Sequence, residues 1–368
     1  MKKKIYFVAT VLDPIHIFLR PYLVDLSSDY DITIICNLEN NFFKKINNFK
    51  YLNIKISRRP NLLNDIYVIT NLLILFLINR PHKIISITPK SGLFCTIVSR
   101  LLFIDNLHFI TGQFWENEKN KFKIKIYKSI DKFIGQFSSK IIVDSRPQYQ
   151  TLIKQGLINK KAFFFNSVSG IDFSKFYRNS KFKLSFKSKK KLSLNSFGLI
   201  YIGRINKDKG IENLLSIYNK LSIKLKKNIF LIIIGEDEIG YLSKRYSKLK
   251  KNNIFYFGKQ NNINYYLNLC DLFITCTKRE GFCQSIIEAN AVGLPAVSNY
   301  LYNLTDTITN NKTGFLTKDN VSFYKSILKL YNNKVLYNKF RFNAIQRVRF
   351  EFNQKSYVYK FRNILFND

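Results

Sequence analysis

The sequence predicts an α/β protein made of parallel βαβ units and divided into two domains of similar size. Three observations predict it. Short apolar runs alternate with helix-length segments along nearly the whole chain, the pattern left by parallel strands joined through crossover helices. The 368 residues suffice for two hydrophobic cores. A Lys/Ser-rich stretch, 179–195, breaks the alternation and lacks sustained periodicity, so the domain junction is expected just before it or within it.

Taken in order, the first half predicts strands at 5–11, 31–36, 51–56, 83–87, 107–111, 140–143 and 162–165. Helices are expected near 15–27, 62–79, 91–103, 123–137 and 147–156. The basic start, Met1 to Lys4, precedes an apolar run that ends at Asp13-Pro14. That run is too short for a secretory segment and reads as the first strand. No run of about 18 apolar residues occurs, so no spanning helix is expected. The nearest approach, 66–79, contains Asn71 and reads as a buried helix. Beyond the junction, strands are expected at 197–202, 229–234, 254–257, 272–275 and 296–298. Helices are expected at 211–226, near 240–250, at 262–269, from Ser285 onward and at 321–331. The stretch 335–366 reads as helical and basic.

Composition excludes disorder: 46% of residues are hydrophobic and 15% aromatic. The formal net charge is +36, from 60 Lys and Arg against 24 Asp and Glu. Such an excess favours an anionic partner, whether membrane surface, nucleotide or nucleic acid. The chain is also rich in Lys, Asn, Ile and Phe throughout, as an AT-rich genome produces, and about half of the excess is assigned to that bias. No nucleic-acid-binding motif accompanies the charge. Cys36, Cys95, Cys270, Cys276 and Cys283 form no C-x-x-C pair, which fits reduced thiols in a cytoplasm. No G-x-G-x-x-G follows the first strand, which reads V-A-T-V-L-D-P, so a dinucleotide oxidoreductase is not expected.

The most informative segment runs from Arg279 to Val297, R-E-G-F-C-Q-S-I-I-E-A-N-A-V-G-L-P-A-V. It follows the strand at 272–275, so its loop lies at a strand's C-terminal end, where open α/β sheets bind ligands. Ser285-x-x-Glu288 reads as a capping box opening a helix, and Gly293 and Pro295 mark that helix's end. Free N–H groups at a helix start favour an anionic diphosphate. Glu280 is placed to accept hydrogen bonds from sugar hydroxyls and Glu288 to reach a ribose. The competing structural readings are a solvated loop acid and a carboxylate that only closes the capping box. Upstream, Leu199 to Leu215 reads L-I-Y-I-G-R-I-N-K-D-K-G-I-E-N-L-L, a buried strand, a basic loop and an amphipathic helix.

Together these two segments resemble the GT-B glycosyltransferases of family 4, which carry a G-R-x-x-x-x-K-G loop and an E-x7-E motif. The matching residues are Gly203, Arg204, Lys209, Gly210, Glu280 and Glu288. Three further segments resemble a bacterial surface-polysaccharide branch of that family. They are Ile87-Thr88-Pro89-Lys90-Ser91-Gly92, Thr111-Gly112-Gln113-Phe114-Trp115 and Ser169-Gly170-Ile171-Asp172-Phe173. The chain departs from the pattern at Ser169, where the family has Asn, and at Asn290, where Met is common. It also departs at Gln113, where many members have His, and at Gln284, where a small or Asn-like residue is frequent.

The resemblance implies a GT-B fold, with two Rossmann-like domains facing each other across a cleft. Residues 1–180 would form the acceptor side and 181–368 the nucleotide-sugar side, with the last helix crossing back onto the first domain. It implies a retaining transferase that uses a UDP-sugar, N-acetylated, as co-substrate and a polyprenyl-diphosphate-linked acceptor. No metal and no other cofactor is expected. Arg204, Lys209 and Glu280 would be catalytic. Arg offers a bidentate fork and Lys a point charge to the departing diphosphate, and Glu280 would orient the sugar. Gly203, Gly281, Phe282, Cys283, Gln284, Ser285 and Glu288 would line the donor site. Lys90, Gln113 and His16 would lie on the acceptor side. The acidic turn Gly235-Glu236-Asp237-Glu238 reads as solvated rather than metal-binding, and Cys283 as a packing residue.

The Lys-rich segment from Lys119 to Lys132 carries Ile126, Ile130, Phe133, Ile134 and Phe137 at helical spacing. It reads equally as an ordinary surface helix and as one that lies on anionic lipid. The expected location is cytoplasmic, peripheral on the inner face of the membrane, with no nucleic-acid partner. Two other functions stay open: a GT-B enzyme such as an epimerase, and a basic nucleic-acid-binding protein.

Overall fold

The computed structural model describes residues 2–39, 45–46, 49–57, 61–159, 162–245, 249 and 252–367, with the side chains of 114, 117 and 245 excepted. The chain divides into two units. Unit 1 comprises Met1–Gly170 and Gln354–Asp368, and unit 2 comprises Ile171–Asn353.

Unit 1 contains a seven-stranded sheet of β1 (Lys4–Val11), β2 (Asp31–Asn37), β3 (Lys50–Asn53), β4 (Lys83–Ser86), β5 (Asp105–Ile110), β6 (Lys140–Val143) and β7 (Phe163–Phe164). Their order is β3-β2-β1-β4-β5-β6-β7, and every ladder among the described residues is parallel. The connecting helices include α1 (Arg20–Leu26), α2 (Leu62–Asn79), α3 (Pro89–Leu102), α4 (Lys121–Phe137) and α5 (Arg146–Lys154). Central strands are apolar on both faces because helices cover both: Ile5 to Ala9 of β1 are all buried. Thr88 and Ser91 close a capping box at the start of α3. A Cβ on Gly92 would lie 2.3 Å from the His108 ring, so the glycine is what admits that imidazole. Nδ1 of His108 sits 2.8 Å from Ser86 Oγ. Burial pushes the histidine down to about 3, so it is a neutral packing residue.

Helix α2 departs from expectation. It was expected to be buried, yet only Val68, Leu72 and Phe76 are. Those three sit on the core of Tyr6, Val8, Ile84, Phe94 and Val98. The sheet covers one stripe of the helix, and Leu63, Ile66, Tyr67, Ile74, Leu77 and Ile78 face outward.

Unit 2 contains a six-stranded sheet of β8 (Phe197–Ile202), β9 (Ile229–Ile234), β10 (Ile254–Tyr256), β11 (Leu272–Thr275), β12 (Ala296–Asn299) and β13 (Gly314–Thr317). Their order is β10-β9-β8-β11-β12-β13, again with parallel ladders. Its helices include α6 (Ser180–Lys189), α7 (Ile211–Lys224), α8 (Ile263–Leu269), α9 (Gln284–Ala291), α10 (Asn320–Asn332) and α11 (Lys334–Glu351). The Lys/Ser-rich stretch 179–195, which shows no sustained periodicity, is mostly helix α6. Asn179 caps it by accepting from Lys181 N, and Phe186 packs against Phe230 and Phe255. The division falls at 170/171 rather than 180/181 because residues 171–179 already bond within unit 2: Ile171 N–H donates to Phe352 O, Tyr177 N–H to Asn264 Oδ1 and Asn179 N–H to Asn268 Oδ1. The helix expected near 240–250 lies partly outside the described residues, and Ser243–Arg245 forms a single 3-10 turn.

The basic stretch 335–366 is two helices. Helix α11 ends at Glu351, and α12 (Gln354–Phe366) belongs to unit 1. The Phe361 ring of α12 lies 4.2 Å from the Tyr22 ring of α1, tilted by 32°, and Arg362 pairs with Asp25 and Asp29.

Candidate active site

In unit 2 the strand order reverses between β8 and β11. At such a switch point two crossovers leave in opposite directions and open a crevice at the strands' C-terminal ends. The loop after β8 carries Gly203, Arg204 and Lys209. The loop after β11 carries Glu280 to Cys283. Several contacts hold the two loops together. Lys278 N–H donates to Asp208 O at 2.7 Å, and Ser285 Oγ donates to Ile202 O at 3.3 Å. Asn303 Nδ2 pins the second loop by donating to Glu280 O at 2.8 Å. Gly210 has φ +64, and a Cβ there would stand 2.1 Å from Cys276 O, so only glycine lets the first loop approach β11 this closely.

Lys209 and Glu280 form an ion pair, Nζ to Oε1, with both side chains more than four-fifths covered. Beside it, the N–H groups of Gly281, Phe282 and Cys283 find no acceptor among the described residues. A cation, a carboxylate and bare amides thus meet at the start of α9, an eight-residue helix whose dipole adds positive potential. Glu288, one turn into α9, has no hydrogen-bond or ion-pair partner among the described residues. Burial pushes its carboxyl up to about 8. It is a half-buried acid that is free to bind a hydroxyl-bearing ligand.

Several expected roles are corrected. Ser285 and Glu288 do not form a capping box: α9 begins at Gln284 with Cys283 at the N-cap and no side-chain cap. Ser285 falls inside the helix, and its hydroxyl reaches β8 instead. The Phe282 ring is buried 5.9 Å from Phe352, so this residue offers the site its backbone only. Burial pushes the Cys283 thiol up to about 12, which fits packing and excludes a resting thiolate. Gln284 stands at the first position of α9, half-buried. Arg204 does not join Lys209; its Nη1 lies 2.8 Å from Glu238 Oε1, and Asn206 Nδ2 donates to the other oxygen at 2.9 Å.

Glu238 was read as a solvated acid, and its role was missed. Its turn follows β9, the neighbour of β8, so its acids come off the same sheet edge as Arg204; that adjacency was the available signal. Asp237 in the same turn accepts the N–H groups of Tyr241, Leu242 and Ser243. Among the described residues no group of three or more His, Cys, Asp or Glu converges as a metal site would require.

In unit 1 the acceptor-side candidates follow adjacent strands, His16 after β1, Lys90 after β4 and Gln113 after β5. Their side chains are already engaged or covered. Lys90 Nζ lies 2.6 Å from Asp65 Oδ1 of α2. Gln113 is buried, its amide oxygen 2.8 Å from the Gln148 amide. His16 is buried in a π-helical turn, Ile15–Leu19, and burial and Arg20 push its pKa down. Such turns often mark functional positions.

Two parallel sheets with this strand order give the chain the fold of the GT-B glycosyltransferases, and the sequence relatives make it a glycosyltransferase. Residues 182–347 match the sequence model of the family described as glycosyl transferases group 1, so unit 2 carries that family's domain. The capsular polysaccharide biosynthesis glycosyltransferase CapM of Staphylococcus aureus is 29% identical over 318 residues, 82% of this chain and 81% of the relative. An Escherichia coli UDP-Gal:alpha-D-GlcNAc-diphosphoundecaprenol alpha-1,3-galactosyltransferase is 24% identical over 261 residues, 68% of this chain and 66% of the relative. The solved structure of Anabaena Alr3699/HepE with UDP and glucose superposes with a TM-score of 0.81 at 14% identity, covering 100% of both chains.

Proposed function

We propose that this glycosyltransferase is a retaining enzyme of capsule, O-antigen or related glycan assembly. It takes a sugar, an N-acetylated hexose or deoxyhexose, from a UDP-sugar. It passes the sugar to a lipid-diphosphate-linked acceptor on the inner face of the cytoplasmic membrane. The observation that carries the reading is the Lys209–Glu280 pair beside the bare amides of 281–283. A nucleoside diphosphate-sugar presents a phosphate to the amides and the lysine, and hydroxyls to the carboxylate. The UDP-glucose complex of the Anabaena protein and the lipid-diphosphate acceptor in the Escherichia coli relative's name support the donor and acceptor classes.

In the proposed reaction an acceptor oxygen bonds to the anomeric carbon on the face from which the UDP oxygen departs. The acceptor's proton passes to a phosphate oxygen. Charge grows on the leaving diphosphate, where Lys209, the α9 amides and Arg204, once released from Glu238, stabilise it. Glu280 holds the donor sugar, Glu288 the ribose, and no divalent cation is called for.

The test is transfer of label from a panel of UDP-sugars into the lipid phase of bacterial membranes carrying undecaprenyl-diphosphate sugars, with Arg204→Ala and Glu280→Gln alongside. Label from one donor, lost in both variants, is the expected result. Unchanged transfer by both folded variants would refute the assignment of this site.

A further inference from the structure

Helix α2 is long and apolar enough to cross a membrane by length and composition alone. It cannot do so here, because Val68, Leu72 and Phe76 are seated in the core of unit 1. Its other side is the anomaly. Leu63, Ile66, Tyr67, Ile74, Leu77 and Ile78 recur at three- and four-residue spacing, so they form one stripe along the outside of the helix. Leu63 is 80% exposed and Ile78 75%. The helix's acid, Asp65, turns to Lys90 of α3, and the sequence Leu62–Asn79 holds no Lys or Arg. The stripe is therefore uncharged over about five turns, a length of about 27 Å.

Helix α3, which packs beside α2, carries further exposed apolar residues at its end. Leu101 is exposed in its last turn, and Phe103, 95% exposed, follows it with φ +54. Helix α4 packs on the far side of α3. It presents Lys121, Lys123, Lys125 and Lys132 to solvent, with Phe122 and Ile126 among them. The three helices form one layer on the sheet, apolar at the α2 side and cationic at the α4 side.

We propose that this layer is a docking face for a phospholipid bilayer. The α2 stripe, with Leu101 and Phe103, enters the boundary between headgroups and acyl chains, and the α4 lysines lie on anionic headgroups. Charge selects the occupant. A second copy meeting this face would bring two lysine fields together, whereas an anionic leaflet neutralises one. A soluble partner of ordinary composition has no counterpart for an uncharged stripe bordered by cations. The inference rests on the proposed lipid-linked acceptor, since an enzyme so docked meets such a substrate where it resides. The lysines were a sequence expectation; α2 as the inserting element comes from the exposure of its outer stripe.

The test uses the full chain with no donor or acceptor, so that failure of the transferase reading leaves it intact. Co-sedimentation is measured with vesicles of phosphatidylcholine containing phosphatidylglycerol, and with phosphatidylcholine alone. Leu63→Glu/Ile74→Glu/Ile78→Glu removes the stripe at exposed positions, and an unchanged unfolding midpoint certifies its fold. Wild type is expected to bind the anionic vesicles and the triple variant to bind at least about tenfold more weakly. Ile74→Leu/Ile78→Leu retains binding. Lys121→Gln/Lys125→Gln loses the preference for phosphatidylglycerol. Equal partition of the triple variant and wild type, or no wild-type binding, overturns the proposal. So does a wild-type dimer in solution that the triple variant converts to monomer, which would make a second copy the occupant.

Discussion

Gly210→Ala separates backbone conformation from contact at the donor loop. Gly210 and Gly240 both lie in unit 2 with nearly the same conformation, φ +64 and +65. Placing alanine in that left-handed region costs about 1–2 kcal/mol at either site. Around Gly240 the nearest atom to a new Cβ is Lys244 Cε at 3.5 Å, an ordinary contact. At Gly210 the same atom meets Cys276 O at 2.1 Å, where carbon and carbonyl oxygen normally rest about 3.3 Å apart. The obstacle is backbone, so the two loops must part, at a further cost of about 1–3 kcal/mol. Gly240→Ala should thus lose about 1–2 kcal/mol and Gly210→Ala about 2–5 kcal/mol. Urea unfolding of the full chain, followed through the unit 2 transition, reads both. Parting the loops also draws Lys209 from Glu280, so Gly210→Ala should weaken UDP binding in a titration while Gly240→Ala leaves it intact. Equal losses of stability in the two variants, or unaltered UDP binding by Gly210→Ala, would refute the claim that contact with β11 shapes this loop.

Three further outcomes are expected. Glu288, with its carboxyl raised from 4.5 to about 8, holds a proton in the folded state that the unfolded chain releases near 4.5. Wild-type stability therefore falls as pH rises through that window. Glu288→Gln should unfold later than wild type at pH above about 8 and together with it at pH about 4, as thermal scans would show. Glu238→Gln frees Arg204 from a largely exposed ion pair; UDP should bind up to about fivefold more tightly, the ceiling for such pairs, and isothermal titration reads this. Trp115 is the chain's single tryptophan, and its indole N–H donates to Asp131 at 2.8 Å. Burial pushes that carboxyl up to about 6, against the opposing indole hydrogen bond. Tryptophan-selective fluorescence should titrate with a midpoint near 6, and Asp131→Asn should abolish the step.

The strands were legible because parallel sheets bury both faces and leave continuous apolar runs such as Ile229 to Ile234. The two loops at the switch point of unit 2 were legible because Gly203 and Gly210 break the apolar pattern after β8, and Glu280-Gly281 breaks it after β11. Contacts between distant residues were not. Ser285 has the spacing of a cap, but its hydroxyl is claimed by β8, eighty residues earlier. Lys90 was placed correctly after β4, yet Asp65 on α2 takes its charge. Helix α6 hides in a Lys/Ser-rich stretch because its stability comes from Phe186 in the unit 2 core rather than from periodicity. The outer stripe of α2 misled the reading in the opposite sense: period and composition describe a buried helix, and only the fold reveals which side has a neighbour.

The return of α12 to unit 1 inverts the order in which a ribosome can finish the two units. Unit 2 is one continuous span, Ile171–Asn353, and its sequence is complete once that span has emerged. Unit 1 is started first and finished last. Until residues 354–366 are synthesised, Tyr22 lacks Phe361, Asp25 and Asp29 lack Arg362, and the Asn166 carbonyl lacks the Tyr357 hydroxyl. Closing the contacts of α1 spans more than three hundred residues, the slowest kind of contact to form. The older half of the nascent chain thus waits, with α1 uncovered, for the youngest helix, and for that interval it is the part of the molecule most in need of a chaperone.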